Sequence, residues 1–226
     1  MGARKAGDSL DGKTRILIVD DHPLMRRGLA ELINHEPDLA VCGEAEDAPT
    51  ALQMLRTVQP NIVTIDISLK EGSGIELIKQ LKASSPEVHT LALSMHDENL
   101  YAERAMRAGA KGYLSKDAPP GEVVSAIRRV RDGKIYMSDR MADRVLRRMV
   151  DGRDAIETSP VDKLSDRELE VFELIGRGLG TRKIAEHLHL SVKTIETYRE
   201  SIKAKLNLAS STELTRHAVQ WALETK

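Results

Sequence analysis

The sequence predicts an α/β protein: a doubly wound, five-stranded parallel sheet followed by a smaller all-α domain of four helices. Three observations predict it. From Thr14 to about Gly133, short runs rich in Ile, Val and Leu alternate with longer segments of helical period. After Gly133 the strand-like runs stop, and the apolar spacing is helical throughout. Between the two regions lies a polar stretch, Asp151 to Asp162, punctuated by Gly and Pro. A chain of 226 residues has room for two domains. The expected division is a first domain over 14–133, a helical linker over 134–162 and a second domain over 163–226.

The strand candidates are RILIVD, LAVCGEA, NIVTID, VHTLALS and KGYLSK. Helical segments fall between them at Leu24–Asn34, Thr50–Val58, Ile75–Ala83, Glu98–Ala108 and Glu122–Arg131. Strict β-α alternation implies a parallel sheet covered on both faces, and Ile16 to Val19 is apolar without interruption, as such a strand requires. Ligands in these folds sit beyond the carboxyl ends of the strands. Farther on, Ser138 is positioned to cap a helix running to Val150, with Met141, Val145, Leu146 and Met149 on one side.

Composition narrows the function classes. The formal net charge is -1, so any nucleic-acid surface must be local rather than global. The single cysteine, Cys42, excludes an intrachain disulfide and reads as a small apolar thiol buried in a strand. The N-terminal MGARKAGDSLDGK lacks the apolar stretch of a secretory signal, and no run approaches a membrane span, so a cytoplasmic location is expected.

The chemistry gathers at one sheet edge. Asp20 and Asp21 follow the first strand, Asp66 ends the third, Ser94 the fourth and Lys116 the fifth. Three converging carboxylates repel unless a cation intervenes, and a hard, oxygen-seeking Mg²⁺ suits them. One carboxylate can then accept a phosphoryl group as an acyl phosphate, with a lysine ammonium and a serine hydroxyl on the phosphoryl oxygens. Each residue also has a plain structural reading. Asp21 could cap the helix that starts at Pro23, Asp66 could be a polar strand end, and Lys116 a solvated charge. Five such coincidences at one edge favour the functional reading.

ILIVDDHP, VTIDISLKEGSG, LALSMHDE and GAKGYLSKDA resemble the motifs of response-regulator receiver domains, which have a flavodoxin-like fold, and specifically of the nitrate-response subfamily. The resemblance runs from about Arg15 to Ala222. It implies that Asp66 is the phosphoacceptor and that Asp20, Asp21, Asp66 and the Ser68 backbone carbonyl hold Mg²⁺. It further implies that Lys116 pairs with the phosphate and that Ser94 and Tyr113 are the switch residues. A half-buried strand aromatic is the plain reading of Tyr113. Leu69-Lys70 replaces the family's usual Met-Pro. With Gly72 and Gly74 keeping the loop flexible, this departure is expected to retune phosphate lifetime.

In the second domain, Ser165 and Glu168 form a capping box for a helix carrying Leu169, Val171, Phe172, Leu174 and Ile175, and Gly176 and Gly178 end it. Thr181 is placed to cap a short helix to about Leu188, His189-Leu190 to turn, and Ser191 to cap a longer helix to about Leu206. These are the parts of a helix-turn-helix. Ile184, Ala185, Leu188, Val192, Ile195 and Ile202 are expected to close its core. Arg182, Lys183, Lys193, Arg199, Lys203 and Lys205 outnumber Glu186, Glu196 and Glu200 over this stretch, though a mixed charged face is often merely solvated. The segment resembles the DNA-binding domain shared by quorum-sensing activators and this response-regulator subfamily, on Leu164-Ser165, Arg167-Glu168, Glu170-Val171, Ile184-Ala185, Leu188, Ser191, Thr194-Ile195, Ile202 and Lys205-Leu206.

By that resemblance the longer helix enters the major groove of double-stranded DNA. Lys193, Thr194, Glu196, Thr197 and Glu200 are the candidate base or phosphate contacts, with Arg199 and Lys203 on phosphates. Glu196 and Glu200 could instead pair with Lys193 and Lys203 along the helix. Tyr198 stands where the family often has histidine. In the last helix, from Thr212, Trp221 could serve dimerisation or packing. The resemblance implies a sensor histidine kinase as phosphoryl donor, a homodimer when phosphorylated, and control of transcription. Two other classes fit part of the pattern. A haloacid-dehalogenase-type phosphatase needs a second Asp two residues after the nucleophile, where this chain has Ser68. A phosphorylation-independent DNA-binding or adaptor protein is the other.

Overall fold

The computed structural model describes residues 12–69, 73–95, 98–143 and 160–224. The chain divides into two compact units, Met1–Asp151 and Gly152–Lys226. In the first, β1 (Thr14–Val19), α1 (Pro23–His35), β2 (Leu39–Ala45), α2 (Ala48–Val58), β3 (Ile62–Asp66), α3 (Gly74–Ser84), β4 (His89–Ser94), α4 (Glu98–Ala108), β5 (Gly112–Ser115) and α5 (Pro120–Arg131) follow in order. The sheet is five-stranded, ordered β2-β1-β3-β4-β5, and every pairing is parallel. Strand order reverses between β1 and β3, so their carboxyl ends flank the crevice where an open α/β sheet takes its ligand.

Alternation along the strands supplies both faces. Ile16, Ile18, Ile62, Leu91, Leu93 and Leu114 pack with Leu29, Ala30 and Ile33 of α1 and with Val123, Val124, Ala126, Ile127 and Val130 of α5. On the other face Leu17 meets α2 across Gly43, where an added Cβ would lie 2.5 Å from Met54 Cε. Ile75, Ile78 and Leu81 of α3 and Tyr101, Ala102 and Ala105 of α4 are all buried. Asp47 caps α2 by accepting from the Thr50 N–H at 2.8 Å, which starts this helix two residues before the sequence-read start. The β1–β2 register slips between Ile16 and Leu17, whose partners are Val41 and Gly43. Cys42 is the skipped residue, half-buried rather than buried, and desolvation pushes its thiol pKa up.

Backbone bonding does not stop at Gly133, where the sequence placed the first domain's end. Tyr136 donates its N–H to the Lys111 carbonyl at 2.9 Å and accepts from the Tyr113 N–H at 3.2 Å, forming a parallel bridge to Gly112. Its hydroxyl donates to Glu122 at 2.6 Å, and the Ser138 hydroxyl donates to Glu98 at 2.7 Å. Ser138 Oγ also accepts from the Met141 N–H at 3.2 Å, the cap its sequence position implied, and a helical turn follows over 139–143. Val145, Leu146 and Met149 lie outside the described residues, as does most of the polar stretch.

The second unit opens earlier than read. Pro160–Lys163 is a 3-10 turn with Val161 buried, so the packed structure begins inside the expected linker. Then come α6 (Asp166–Gly176), α7 (Thr181–His187), α8 (Val192–Leu206) and α9 (Ser211–Glu224). The capping box at Ser165 is formed, and Glu168 does more than cap: its carboxylate also accepts from Ser201 at 2.5 Å and Lys205 at 2.6 Å, tying the start of α6 to α8. The α7 cap is Gly180; Thr181 is already helical and makes no cap bond. His189 takes the left-handed turn at φ 53°, and Ser191 caps α8 through the Thr194 N–H at 3.0 Å. Ile184, Ala185, Leu188, Ile195 and Ile202 are buried as expected, but Val192, the first residue of α8, is 41% exposed. Gly178 ends α6 with φ 82°, whereas Gly176 serves packing: a Cβ there would meet the Ala218 carbonyl of α9 at 2.5 Å. Trp221 stacks at a tilt on Phe172, ring centroids 5.4 Å apart, which is the packing reading of that residue.

Desolvation opposes the Glu168 carboxylate, but Lys205, Ser201 and Ser165 outweigh it and hold its pKa near about 2. The folded pKa lies below the unfolded one, so the contribution is present above about pH 4.5 and fades as pH falls toward 2. Glu168→Gln is expected to cost about 2–3 kcal/mol at pH 7 and much less near pH 3, read from urea unfolding of the second unit.

Candidate functional site

The first site forms where β1, β3 and β5 end. Asp66 is the last residue of β3, and two backbone contacts fix it. The Ile67 N–H donates to the Leu93 carbonyl at 3.1 Å, and Gly74 approaches the Asp66 carbonyl so closely that a Cβ would lie 2.0 Å from it. Gly74 is therefore required for steric room, not loop flexibility. Asp20 and Asp66 are 2% and 3% exposed, which is unusual for carboxylates and costly unless each is partnered. Lys116, whose N–H is held by the Ser94 carbonyl at 2.9 Å, extends its ammonium to 2.6 Å from Asp66 Oδ2 and 2.7 Å from Asp20 Oδ2. The Ser68 N–H donates to Asp66 Oδ1 at 3.1 Å.

Asp21 does not cap α1. The cap position is His22, which makes no side-chain cap bond; its N–H donates to Asp20 Oδ1 at 2.8 Å. Its ring nitrogen Nδ1 lies 2.8 Å from Asp21 Oδ1, 3.2 Å from Asp20 Oδ1 and 3.7 Å from Asp66 Oδ2. His22 is thus part of the cluster, and the sequence reading missed it. The available signal was its place directly after the aspartate pair. Asp20, Asp21, His22 and Asp66 each offer a ligand atom, all within 4.8 Å of one another. Asp20 Oδ2 and Asp21 Oδ1 are buried with no aligned hydrogen bond, although Lys116 and His22 lie within ion-pair distance of them. Oxygen-rich donors with unfilled acceptor capacity fit a hard divalent cation.

Electrostatics follow the geometry. Burial pushes the Asp66 pKa up to about 6 and Asp20 adds to the rise, while Lys116 restrains it. Burial opposes the Lys116 charge as well, but Asp66 and Asp20 prevail and raise its pKa. Ser94 is fully buried at the end of β4, one residue past the Asp66 partner Leu93. Tyr113 is 1% exposed, buried rather than half-buried. Lys70 and Gly72 lie outside the described residues.

On the second unit, α8 presents Lys193, Glu196, Thr197 and Glu200 to solvent, with Thr194, Arg199 and Lys203 half-buried. Arg182 and Lys183 are exposed on α7. Ser191, Lys193, Thr194, Thr197 and Tyr198 line a shallow groove. Glu200 pairs with Lys203 at 2.9 Å, as its spacing allowed, and Thr197 donates back to the Lys193 carbonyl at 3.0 Å.

Two family descriptions match: the response regulator receiver domain over residues 16–128, and the bacterial regulatory proteins of the luxR family over residues 162–218. The oxygen regulatory protein NreC of Staphylococcus carnosus is 37% identical over 91% of this chain and 97% of its own. The chain belongs to the two-component response regulators. A LuxR-family response regulator from Aurantimonas sp. SI85-9A1 is 36% identical over 61% of this regulator and 99% of that chain, with a TM-score of 0.57. RcsB of Salmonella typhimurium, in a structure concerned with conformational dynamism for DNA interaction, is 25% identical over 91% of this chain and 98% of its own, with a TM-score of 0.55. The regulator therefore couples a receiver domain to a LuxR-type DNA-binding domain and acts on transcription. Among the described residues no helix is long and apolar enough to cross a membrane.

With its folded pKa near about 6, above the ordinary 3.8, Asp66 destabilises the metal-free fold once ionised, and the cost fades as pH falls from 6 toward 4. Asp66→Asn is expected to stabilise the receiver by about 1–3 kcal/mol at pH 7.5 without divalent ions, and by less at pH 4.5. Chemical denaturation at both pH values checks this.

Proposed function

We propose that Asp66 is the phosphoacceptor of this regulator, with the observation that carries it being the Lys116 ammonium 2.6 Å from Asp66 Oδ2 and 2.7 Å from Asp20 Oδ2. The donor is a phosphohistidine on a sensor histidine kinase. An Asp66 carboxylate oxygen attacks phosphorus, the phosphorus–nitrogen bond of the donor breaks, and an acyl phosphate forms. Lys116 is placed to neutralise a phosphoryl oxygen, and the Ser68 N–H holds the other Asp66 oxygen in place. Ser94 supplies the hydroxyl that engages the phosphoryl group, and Tyr113 is the aromatic partner of that switch. Asp20, Asp21, Asp66 and the Ser68 backbone carbonyl would hold Mg²⁺, which when bound offsets the charge of carboxylates and phosphate.

The output reading rests on α8. Its exposed face carries Lys193, Glu196, Thr197 and Glu200 beside Thr194, where they serve as contacts in the DNA major groove. Arg182, Lys183, Arg199 and Lys203 suit phosphate contacts, which set affinity and its salt dependence. Phosphorylation favours a homodimer that binds paired half-sites, and the chromosomal target puts this work in the cytoplasm.

Beryllofluoride with Mg²⁺, a stand-in for the phosphoryl group, is expected to raise DNA affinity and the dimer fraction of the full chain. Asp66→Asn should abolish both gains while keeping basal DNA binding. Fluorescence anisotropy and sedimentation check the pair together. DNA binding indifferent to beryllofluoride in the unaltered protein would instead identify a phosphorylation-independent DNA-binding protein.

A further inference from the structure

We propose that Glu196 reads cytosine: its carboxylate accepts from the exocyclic amino group of a cytosine in the major groove, so each half-site carries a C·G pair where this residue docks. The inference rests on the DNA-binding reading above and adds to it which base is selected. Lys193, Glu196, Thr197 and Glu200 recur at helical spacing and are all exposed, while Ile195 and Ile202 are buried. The rotation of α8 about its own axis is fixed along its length. Ser191 caps its start through the Thr194 N–H at 3.0 Å, and Glu168 accepts from Ser201 and Lys205 farther along. The stripe is therefore held outward by contacts its own members do not make. Glu196 falls in the N-terminal half of α8, the part of a recognition helix that meets base edges.

The two carboxylates on that stripe differ. Glu200 lies 2.9 Å from the Lys203 ammonium, so its charge is offset before DNA arrives. Glu196 has Lys193 and Arg199 three residues to either side, yet among the described residues it forms no ion pair with either. A carboxylate without a cation that enters a groove walled by phosphates, at about one negative charge per 1.7 Å of duplex axis, is repelled unless a donor on a base meets it. Major-groove edges offer two such donors, cytosine N4 and adenine N6. Adenine sets its N7 acceptor beside N6, which repels a carboxylate, whereas the neighbour of cytosine N4 is a C–H. Guanine and thymine present acceptors there, and these repel it too. One contact thus separates cytosine from the other three bases.

The test selects binding sites from a random duplex pool with the full chain, beryllofluoride and Mg²⁺, comparing the unaltered protein, Glu196→Gln and Glu196→Ala. Sequencing of the bound pool reads base preference, and fluorescence anisotropy reads affinity for the selected site and for unselected duplex. The unaltered protein is expected to enrich cytosine at one position of each half-site and to lose about tenfold in affinity when that C·G pair becomes T·A. Glu196→Gln is expected to move that position toward adenine, whose N6 and N7 an amide matches, and Glu196→Ala to leave it without preference. Both variants should bind unselected duplex more tightly, since a negative charge has gone. Identical base preferences in all three proteins would overturn the role of Glu196 and leave the DNA-binding reading standing. Enrichment of no sequence by the unaltered protein would bring down both. Matching helix content and thermal unfolding of the three proteins, expected at an exposed position, exclude misfolding as the cause.

Discussion

Three carboxylates share the carboxyl edge of β1 and β3, and the Lys116 ammonium reaches only two of them. Coulomb repulsion at these separations is large in a buried site, so the arrangement holds only because the fold over-determines it. A ladder of parallel strands fixes the backbone under Asp20 and Asp66, and Gly74 lets α3 begin against the Asp66 carbonyl. Burial above all, with the Asp20 charge adding to it, raises the Asp66 pKa to about 6. A receiver pocket short of positive charge is ready for a cation and for chemistry that changes its charge, and each of these alters the free energy of the same few side chains.

The second unit solves a different problem, that of presenting an exposed helix rigidly. Only Ile195 and Ile202 of α8 are buried among its described side chains, so little apolar area anchors it. The Glu168 cluster supplies the rest of the anchorage through Ser201 and Lys205, and Ser191 fixes where the helix starts. Orientation of the outward face thus depends on polar contacts as well as packing, which suits a surface that must itself remain polar.

Much of this was legible in the sequence. Strand-end residues declared themselves because the short apolar runs end abruptly in Asp20, Asp66 and Ser94, and a parallel sheet puts such ends on one edge. The Ser165–Glu168 box and the Ser191 cap were equally plain, because capping is local chemistry. What escaped was long-range. Glu168 meets Ser201 and Lys205 more than thirty residues away. Gly74 and Gly176 look like hinges or stops in one dimension but are points of close approach in three. His22 carried no reading of its own beside the aspartate pair, yet its ring stands among the carboxylates. Val192 sat on an apolar face by spacing yet is exposed at the start of α8.

The strip of backbone at Tyr136 bears on how the receiver can be cut for study. β5 is an outer strand of the sheet, and Tyr136 occupies part of its free side through the Lys111 carbonyl and the Tyr113 N–H. A fragment ending at Gly133 would bare both groups on the outer edge of a four-residue strand. Edges of that kind recruit other strands. A fragment carried through Met141 keeps the covering strip and the Ser138–Glu98 bond, so self-association of a shorter piece would describe the scissors rather than the regulator.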